Sequence, residues 1–363
     1  MKSRVVEQDT HSIVRSIESD LKQLQGKSLL ITGATGFIGT YLLESLALLN
    51  DSYSTSPCRV VGIARDPQRL ERTAPHLLNR QDIQIRHGDV RTFEFPESFD
   101  YVIHAAAPVD PGALRRDRLG AVETIVNGTH QVLQQSIRHS VKRLLYISSG
   151  AVYGKQPPDL PQLVESYLGG PDITDPAWAY GEAKRYAEVL CSVFHQSHNL
   201  SVVVARPFTF VGPYQSLEAD FAVTQFIRSA LRGEPIRIEG DGTPLRSYCY
   251  GADLAVALWK IILRGKAGCA YNVGAEEPLS ILELARKVVS ATGAEVELTI
   301  AREPVPGQKP ARYIPDITRL KTELGVYPKF KLDDALARTI AWARETSTCE
   351  VDDPLDSPQK RRN

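Results

Sequence analysis

The chain has 363 residues, enough for one large core or two unequal domains. Apolar residues make up 42% and charged residues 24%, the balance of a soluble globular protein. Lys+Arg and Asp+Glu are both 43, so no global field draws the chain to nucleic acid or an anionic membrane.

Nothing in the sequence is long and apolar enough to span a bilayer, and the N-terminus lacks the apolar core of a signal peptide. Cys58, Cys191, Cys249, Cys269 and Cys349 are scattered and lack a paired metal spacing. Reduced thiols, a cytoplasmic location and no bound metal are the expectations.

The segment 1–26 precedes the first strand. Ile13, Ile17, Leu21 and Leu24 recur at helical spacing, which predicts an amphipathic helix over 11–24 that packs on the main domain or on a second subunit. Leu29–Thr32 is a short buried strand, followed by Gly33, Gly36 and Gly39 at three-residue spacing and an apolar helix over 41–49. Strand, glycine turn and helix make a dinucleotide site. Gly33 permits the tight turn, Gly36 admits the pyrophosphate, Gly39 lets helix pack on strand, and the helix N-terminus faces the phosphates.

Strands follow at 59–64, 83–86, 101–104, 143–147 and 200–205, with helices over 121–136 and 179–191 between them. The alternation predicts an α/β fold, a Rossmann-type doubly wound parallel sheet. Ala64 ends the second strand where a carboxylate normally takes the adenosine ribose. Arg65 follows, which suits a 2′-phosphate, but Asp66 is one residue away. Asp89, after the third strand, is a candidate adenine contact or a turn aspartate. Ala105 and Ala106, after the fourth strand, leave room in the crevice, and His104 reads as a buried, satisfied histidine. Beyond Arg206-Pro207, prolines and glycines punctuate shorter elements: helices over 221–231 and 279–292, strands over 236–239 and 296–300. They form a smaller C-terminal α/β substrate-binding lobe over 206–245 and 275–345. The stretch 246–274 returns to the first domain, which otherwise covers 27–205. The polar tail 346–363 is expected to be disordered.

Tyr180 and Lys184 stand four residues apart, on one face of a helix. A free phenol has a pKa of about 10, and a neighbouring ammonium and a cationic nicotinamide both favour its phenolate. Tyr180 is then a base for a carbinol hydroxyl while hydride leaves the same carbon, Lys184 holds the nicotinamide ribose, and Ser149 orients the reacting oxygen.

The ordered set of the glycine triad, Gly88-Asp89-Val90, His104-Ala-Ala-Ala, Ser148-Ser-Gly-Ala-Val-Tyr-Gly154, Tyr180-x-x-x-Lys184, Arg206-Pro207 and Arg246-Ser-Tyr resembles the extended short-chain dehydrogenases/reductases. More narrowly, it resembles the nucleotide-sugar epimerases, dehydratases and decarboxylases. The resemblance implies a catalytic set of Ser149, Tyr180 and Lys184. It implies a cofactor set of Gly33, Gly36, Phe37, Ile38, Gly39, Arg65, Asp89, Val90, Ala105, Ala106 and Pro207, together with Tyr180 and Lys184. Ser149, Thr209, Arg246 and Arg312 are the substrate set, the arginines holding a diphosphate. It also implies tightly held, recycled NAD, with NADP the alternative. A nucleotide-diphosphate sugar is the implied partner, and a homodimer forms through helices near 121–136 and 179–191.

Three departures bear on the reaction. The 4,6-dehydratases carry Asp-Glu after the catalytic hydroxyl residue, and the UDP-glucuronate decarboxylases also place a Glu there; Gly150 and Ala151 stand instead. Ile125 replaces an asparagine in the helix motif Thr124–Thr129. Thr209 replaces the substrate-side asparagine. Glu165 and Asp110 are loop carboxylates that could serve as a further base or be plainly solvated. The minimal machinery suffices for oxidation to a 4-keto sugar and its re-reduction, hence 4-epimerisation. Dehydration, decarboxylation, NADPH-dependent keto-sugar reduction and a non-catalytic nucleotide-sensing scaffold are the alternatives.

Overall fold

The computed structural model describes residues 3–53 and 56–350. Seven parallel strands form the central sheet: β1 (Ser28–Thr32), β2 (Arg59–Ala64), β3 (Ile83–His87), β4 (Tyr101–His104), β5 (Arg143–Ile147), β6 (Val202–Pro207) and β7 (Ala270–Val273). Their spatial order is β7-β6-β5-β4-β1-β2-β3. The inner strands are apolar runs without alternation because helices cover both faces; β1 is buried along its whole length.

Strand order reverses between β1 and β4, which opens a crevice at their C-terminal ends. Register places Thr32 beside His104, and His104 beside Tyr146. The residues that follow these strands, Gly33, Ala105 and Ser148-Ser149, therefore line one edge.

Five helices matter for the site: α1 (Arg4–Leu21), α2 (Phe37–Tyr53), α3 (Arg118–Arg138), α4 (Ala179–His198) and α5 (Gly251–Arg264). α1 starts earlier than its apolar spacing suggests. It packs against α2 and α5 of the main domain, one of the two placements its sequence left open. Ile13, Ile17, Leu21 and Leu24 are fully buried, and Asp20 pairs with Lys260 at 2.5 Å and with Arg264.

Asp9, also on α1, is fully buried. It accepts hydrogen bonds from the Tyr250 hydroxyl at 2.5 Å, Tyr41 at 3.2 Å and Arg338 at 3.0 Å. Burial outweighs these bonds and pushes its carboxyl up to about 6. The native state then holds this proton more tightly than the unfolded chain, whose aspartates titrate at about 4. Asp9 should therefore cost stability fully above pH 6, and the cost should vanish as pH falls through about 4. Urea unfolding across this range is expected to show that slope, and Asp9→Asn to flatten it.

Beyond the central sheet, the second half of the chain builds short separate sheets. Ile236–Ile238 pairs with Leu298–Ile300, and Leu245–Arg246 lies between Leu279–Ser280 and Arg312–Tyr313. Ser280 and Glu283 close a capping box on the helix Ile281–Thr292. The last helix, Leu332–Glu350, continues into the stretch read as a disordered tail; residues 351–363 of that tail lie outside the described residues. Among the described residues no helix is long and apolar enough to cross a membrane, and no cluster of His, Cys, Asp and Glu could hold a metal ion.

Candidate active site

The glycine turn follows β1 directly. Gly33 has φ +71°, and a Cβ there would meet the Ala105 carbonyl and Ala106 Cα at 2.9 Å. A Cβ on Gly39 would lie 2.4 Å from the Ala34 carbonyl oxygen. The chain is folded so tightly that only glycine fits at both positions, and the half-buried first turn of α2 follows at once with the unpaired N–H groups of a helix N-terminus. Phe37 opens α2 and stacks on Phe210 with centroids 4.7 Å apart, fixing the helix N-terminus. Gly39→Ala is expected to displace that turn and weaken dinucleotide affinity at least tenfold, measured by calorimetric titration.

At the adenosine end, Arg65 is exposed after β2. Asp66 is occupied elsewhere, accepting from the Arg69 backbone at 3.2 Å and pairing with Arg72 at 3.1 Å. Asp89 is gripped by Arg91, with Nη2 2.6 Å from the carboxylate, which holds its carboxyl below the usual range. The Val90 side chain packs in the core against Gly128, so only its backbone can face a nucleotide. Ala105 and Ala106 border the glycine turn, and Pro207 ends β6 beside Val273.

His104 is satisfied within the core. Thr32 Oγ1 accepts from the Ala106 N–H at 3.2 Å and is hydrogen-bonded to His104 Nδ1 at 2.7 Å; His104 Nε2 is hydrogen-bonded to Thr129 Oγ1 at 3.1 Å. Burial lowers its pKa to about 3, so the ring is a neutral strut.

Ser149 caps a short turn after β5, accepting from the Ala151 N–H at 3.1 Å. α4 brings Tyr180 to it, and side-chain hydrogen bonding with Ser149 lowers the phenol's pKa. Burial is the larger influence and pushes the phenol up to about 12. Lys184 does not reverse this. Its Nζ lies 6.0 Å from the Tyr180 ring centroid and donates to the Ile147 carbonyl at 2.7 Å. Burial lowers Lys184 to about 7, while Glu188 raises it. The lysine is thus aimed at β5, and its ammonium is not among the influences that move the Tyr180 phenol in this structure.

Glu188 was not singled out in the sequence, although it continues the four-residue spacing of Tyr180 and Lys184 on α4. It accepts from Ser148 at 2.5 Å and receives the Arg206 fork, Nη2 to Oε2 at 2.6 Å and Nε to Oε1 at 3.0 Å. Arg206 also donates to the Tyr153 hydroxyl at 2.7 Å, which donates to Asn272 Oδ1 at 2.7 Å. This buried network ties α4, β6 and β7 together behind Ser149.

On the lobe side, Arg246 donates to its neighbour's carbonyl, Leu245 O, at 2.9 Å and lies over the Tyr313 ring at 5.8 Å. Burial lowers its pKa, and no carboxylate is paired with it among the described residues. That is a guanidinium suited to an incoming anion. Thr209, half-buried after β6, adjoins this wall and accepts the Cys249 N–H on its carbonyl. Arg312 does not join the group: its Nη2 reaches the Pro161 carbonyl at 3.3 Å, and its neighbour Tyr313 is the residue paired with Arg246. Asp110 caps a helix through the Ala113 N–H at 2.7 Å, and Glu165 accepts from the Asn272 N–H at 2.9 Å; both are structural groups. A cleft of about 280 Å³ leads to Tyr180 between Pro111, Arg115, Arg118 and Pro176.

A doubly wound sheet carrying this glycine turn, with serine, tyrosine and lysine gathered at the crevice, defines an extended short-chain dehydrogenase/reductase, an enzyme acting on nucleotide sugars. The chain belongs to the NAD dependent epimerase/dehydratase family, which its residues 29–274 match. UDP-glucuronic acid decarboxylase 6 of Arabidopsis thaliana is 31% identical over 315 residues, covering 85% of this chain and 86% of the relative. Among solved structures, UDP-glucuronic acid 4-epimerase from Bacillus cereus, in complex with UDP-glucuronic acid and NAD, superposes with a TM-score of 0.74 at 26% identity, covering 88% of this chain and 99% of that one. The dTDP-glucose 4,6-dehydratase of Streptomyces venezuelae, with NAD bound, gives a TM-score of 0.76 at 25% identity, covering 89% and 98%. Relatives of one family thus span decarboxylation, epimerisation and dehydration.

Proposed function

We propose that this chain is a cytoplasmic, NAD-dependent nucleotide-diphosphate-sugar 4-epimerase. The observation that carries the reaction type lies beside Ser149. Gly150 and Ala151 occupy the positions at which the resembled dehydratases and decarboxylases keep acids. The space over Gly150 is filled: a Cβ there would meet the Tyr313 hydroxyl at 2.5 Å and the Phe208 ring at 2.8 Å. Neither position beside Ser149 carries a carboxyl group to drive elimination or assist loss of carbon dioxide, while redox at one carbinol carbon needs only Ser149 and Tyr180.

The turn from Gly33 to Gly39 would hold the cofactor's pyrophosphate, and Lys184 the nicotinamide ribose. Bound NAD supplies the hydride acceptor and a positive charge beside the phenol. Tyr180 removes the C4 hydroxyl proton, Ser149 holds that oxygen, and Arg246 with Thr209 holds the diphosphate side, so that the sugar can turn and present its other face. The same Tyr180 returns the proton. Arg65, at a strand end without a free carboxylate, favours a second reading in which NADP serves a keto-sugar reductase. Comparing NAD and NADP affinities of the purified protein distinguishes the two. The deciding assay incubates the protein with UDP- and dTDP-sugars. An inverted C4 signal by NMR at unchanged mass supports epimerisation, and loss of water or carbon dioxide sinks it.

Tyr186, Val189 and Val193 form an exposed apolar ridge on α4, which packs against α3. Such a ridge suits a second copy of the chain. Light scattering is expected to give twice the chain mass and Val189→Asp to give a monomer; a wild-type monomer at all concentrations contradicts the dimer.

A further inference from the structure

The segment 107–117 joins β4 to α3 and forms one wall of the cleft to Tyr180. Its short helix, Pro111–Arg116, puts Pro111, Leu114 and Arg115 on that wall. The segment is thinly held. Val109 is exposed, and neither it nor Leu114 joins a buried apolar cluster. Asp117 caps α3 through the Gly120 N–H at 2.8 Å. Apart from that cap, and among the described residues, every hydrogen bond or ion pair leaving the segment ends on one distant residue, Asp220.

The contact has a backbone half and a side-chain half. The Asp220 N–H donates to Asp110 Oδ2 at 2.6 Å, while Asp110 Oδ1 caps the helix by accepting from the Ala113 N–H at 2.7 Å. The Asp220 carboxylate accepts from the Arg115 guanidinium and from the Gln225 amide. Gly112 brings the helix backbone directly onto Asp220: a Cβ at Gly112 would lie 3.3 Å from the Asp220 Cβ. The Asp220 side is firmly anchored. Thr224 Oγ1 donates to the Ala219 carbonyl at 2.6 Å and the Phe221 carbonyl at 2.9 Å, and the helix Ala222–Arg232 buries Val223, Phe226 and Ile227. A fixed carboxylate therefore holds a wall that little else holds.

We propose that the helix Pro111–Arg116 is a lid on the Tyr180 cleft, that Asp220 latches it to the helix Ala222–Arg232, and that unlatching sets how fast the dinucleotide leaves. Segments with few buried contacts open locally, and the bonds that close them set how often they do. Arg115 is 61% exposed and Asp220 28%, so their ion pair biases the closed lid without locking it. A latched lid retains a cofactor that must be used again in place. The role rests on NAD lying in the crevice, and it holds whichever reaction follows.

The Asp220 N–H crosses the contact, so its hydrogen exchange, read by NMR, reports the latch with no ligand present. Arg115→Ala is expected to speed that exchange about fivefold and to leave the amides of β1 unchanged. Release of bound NADH into excess NAD, followed by stopped-flow fluorescence, should be about fivefold faster in Asp220→Ala than in the wild type. Added salt should quicken wild-type release and leave that of the variant alone. Gly112→Cys combined with Asp220→Cys gives both lid states in one protein, because the two Cβ positions lie close to the separation of about 3.8 Å found in disulfides. Reduced, it should release NADH as fast as Asp220→Ala; oxidised, about tenfold more slowly than the wild type. An unchanged Asp220 amide in Arg115→Ala overturns the latch, and equal release from the oxidised and reduced forms overturns the lid. Absence of turnover with every nucleotide sugar would instead overturn the epimerase reading and leave the exchange and release results standing.

Discussion

Tyr180→Phe is expected to lower kcat by about 10²–10⁴-fold while NAD affinity stays within a few-fold of wild type. The phenyl ring keeps the packing of α4 against the crevice, and the lost atom is the one that exchanges the carbinol proton. Burial alone would keep this phenol protonated, with its pKa pushed up to about 12. Ionisation therefore depends on the Ser149 hydroxyl and on the positive charge that arrives with the cofactor. For that reason the wild-type rate should rise with pH through the Tyr180 ionisation, and Ser149→Ala should move that limb to higher pH. Single-turnover kinetics at 340 nm checks both statements. Turnover of Tyr180→Phe near the wild-type rate would remove Tyr180 from the chemistry.

The second large effect concerns stability. Glu188→Ala is expected to cost about 3–5 kcal/mol, because it strands the Arg206 guanidinium in a site where removing one partner of a buried pair leaves an uncompensated charge. Both side chains are largely buried, 14% exposed for Glu188 and 15% for Arg206. The Tyr153 hydroxyl is the other side-chain group bonded to that guanidinium, and it cannot neutralise it. The Glu188→Leu/Arg206→Met pair should recover much of the loss, since apolar replacement of a whole buried pair is often close to neutral. Glu188 also supports Lys184, whose ammonium is already weakened by burial to about 7. Without Glu188 the lysine should be largely neutral at pH 7, and cofactor affinity should fall along with stability. Urea denaturation and calorimetric titration of NAD separate the two effects. A loss below about 1 kcal/mol, typical of an exposed pair, would contradict the buried-pair account.

Much of this architecture was legible in the chain. The inner strands are short apolar runs bounded by turns, so their positions followed from hydrophobicity; β2, β4 and β5 fall on the predicted residues. The glycine spacing carried the phosphate cradle because steric exclusion of a Cβ is a local property. What escaped depends on long-range pairing. Arg312 and Tyr313 are neighbours on a strand and so face opposite ways; which of them looks into the crevice is set by the register against Leu245–Arg246. Arg206 was visible only as a marker beside Pro207, because its partner Glu188 lies on another element, 18 residues away in sequence. The direction of the Lys184 ammonium escaped for a related reason. Four-residue spacing places it on the Tyr180 face, but the Ile147 carbonyl on β5 decides where its ammonium points.

The most direct measurement uses a nucleotide sugar deuterated at C4. Hydride must leave and return at that one carbon, with the Tyr180 phenol as the proposed base. The account predicts product of inverted C4 configuration and unchanged mass, with the deuterium still on C4. Loss of the label to solvent, or a product lighter by water or carbon dioxide, would contradict it.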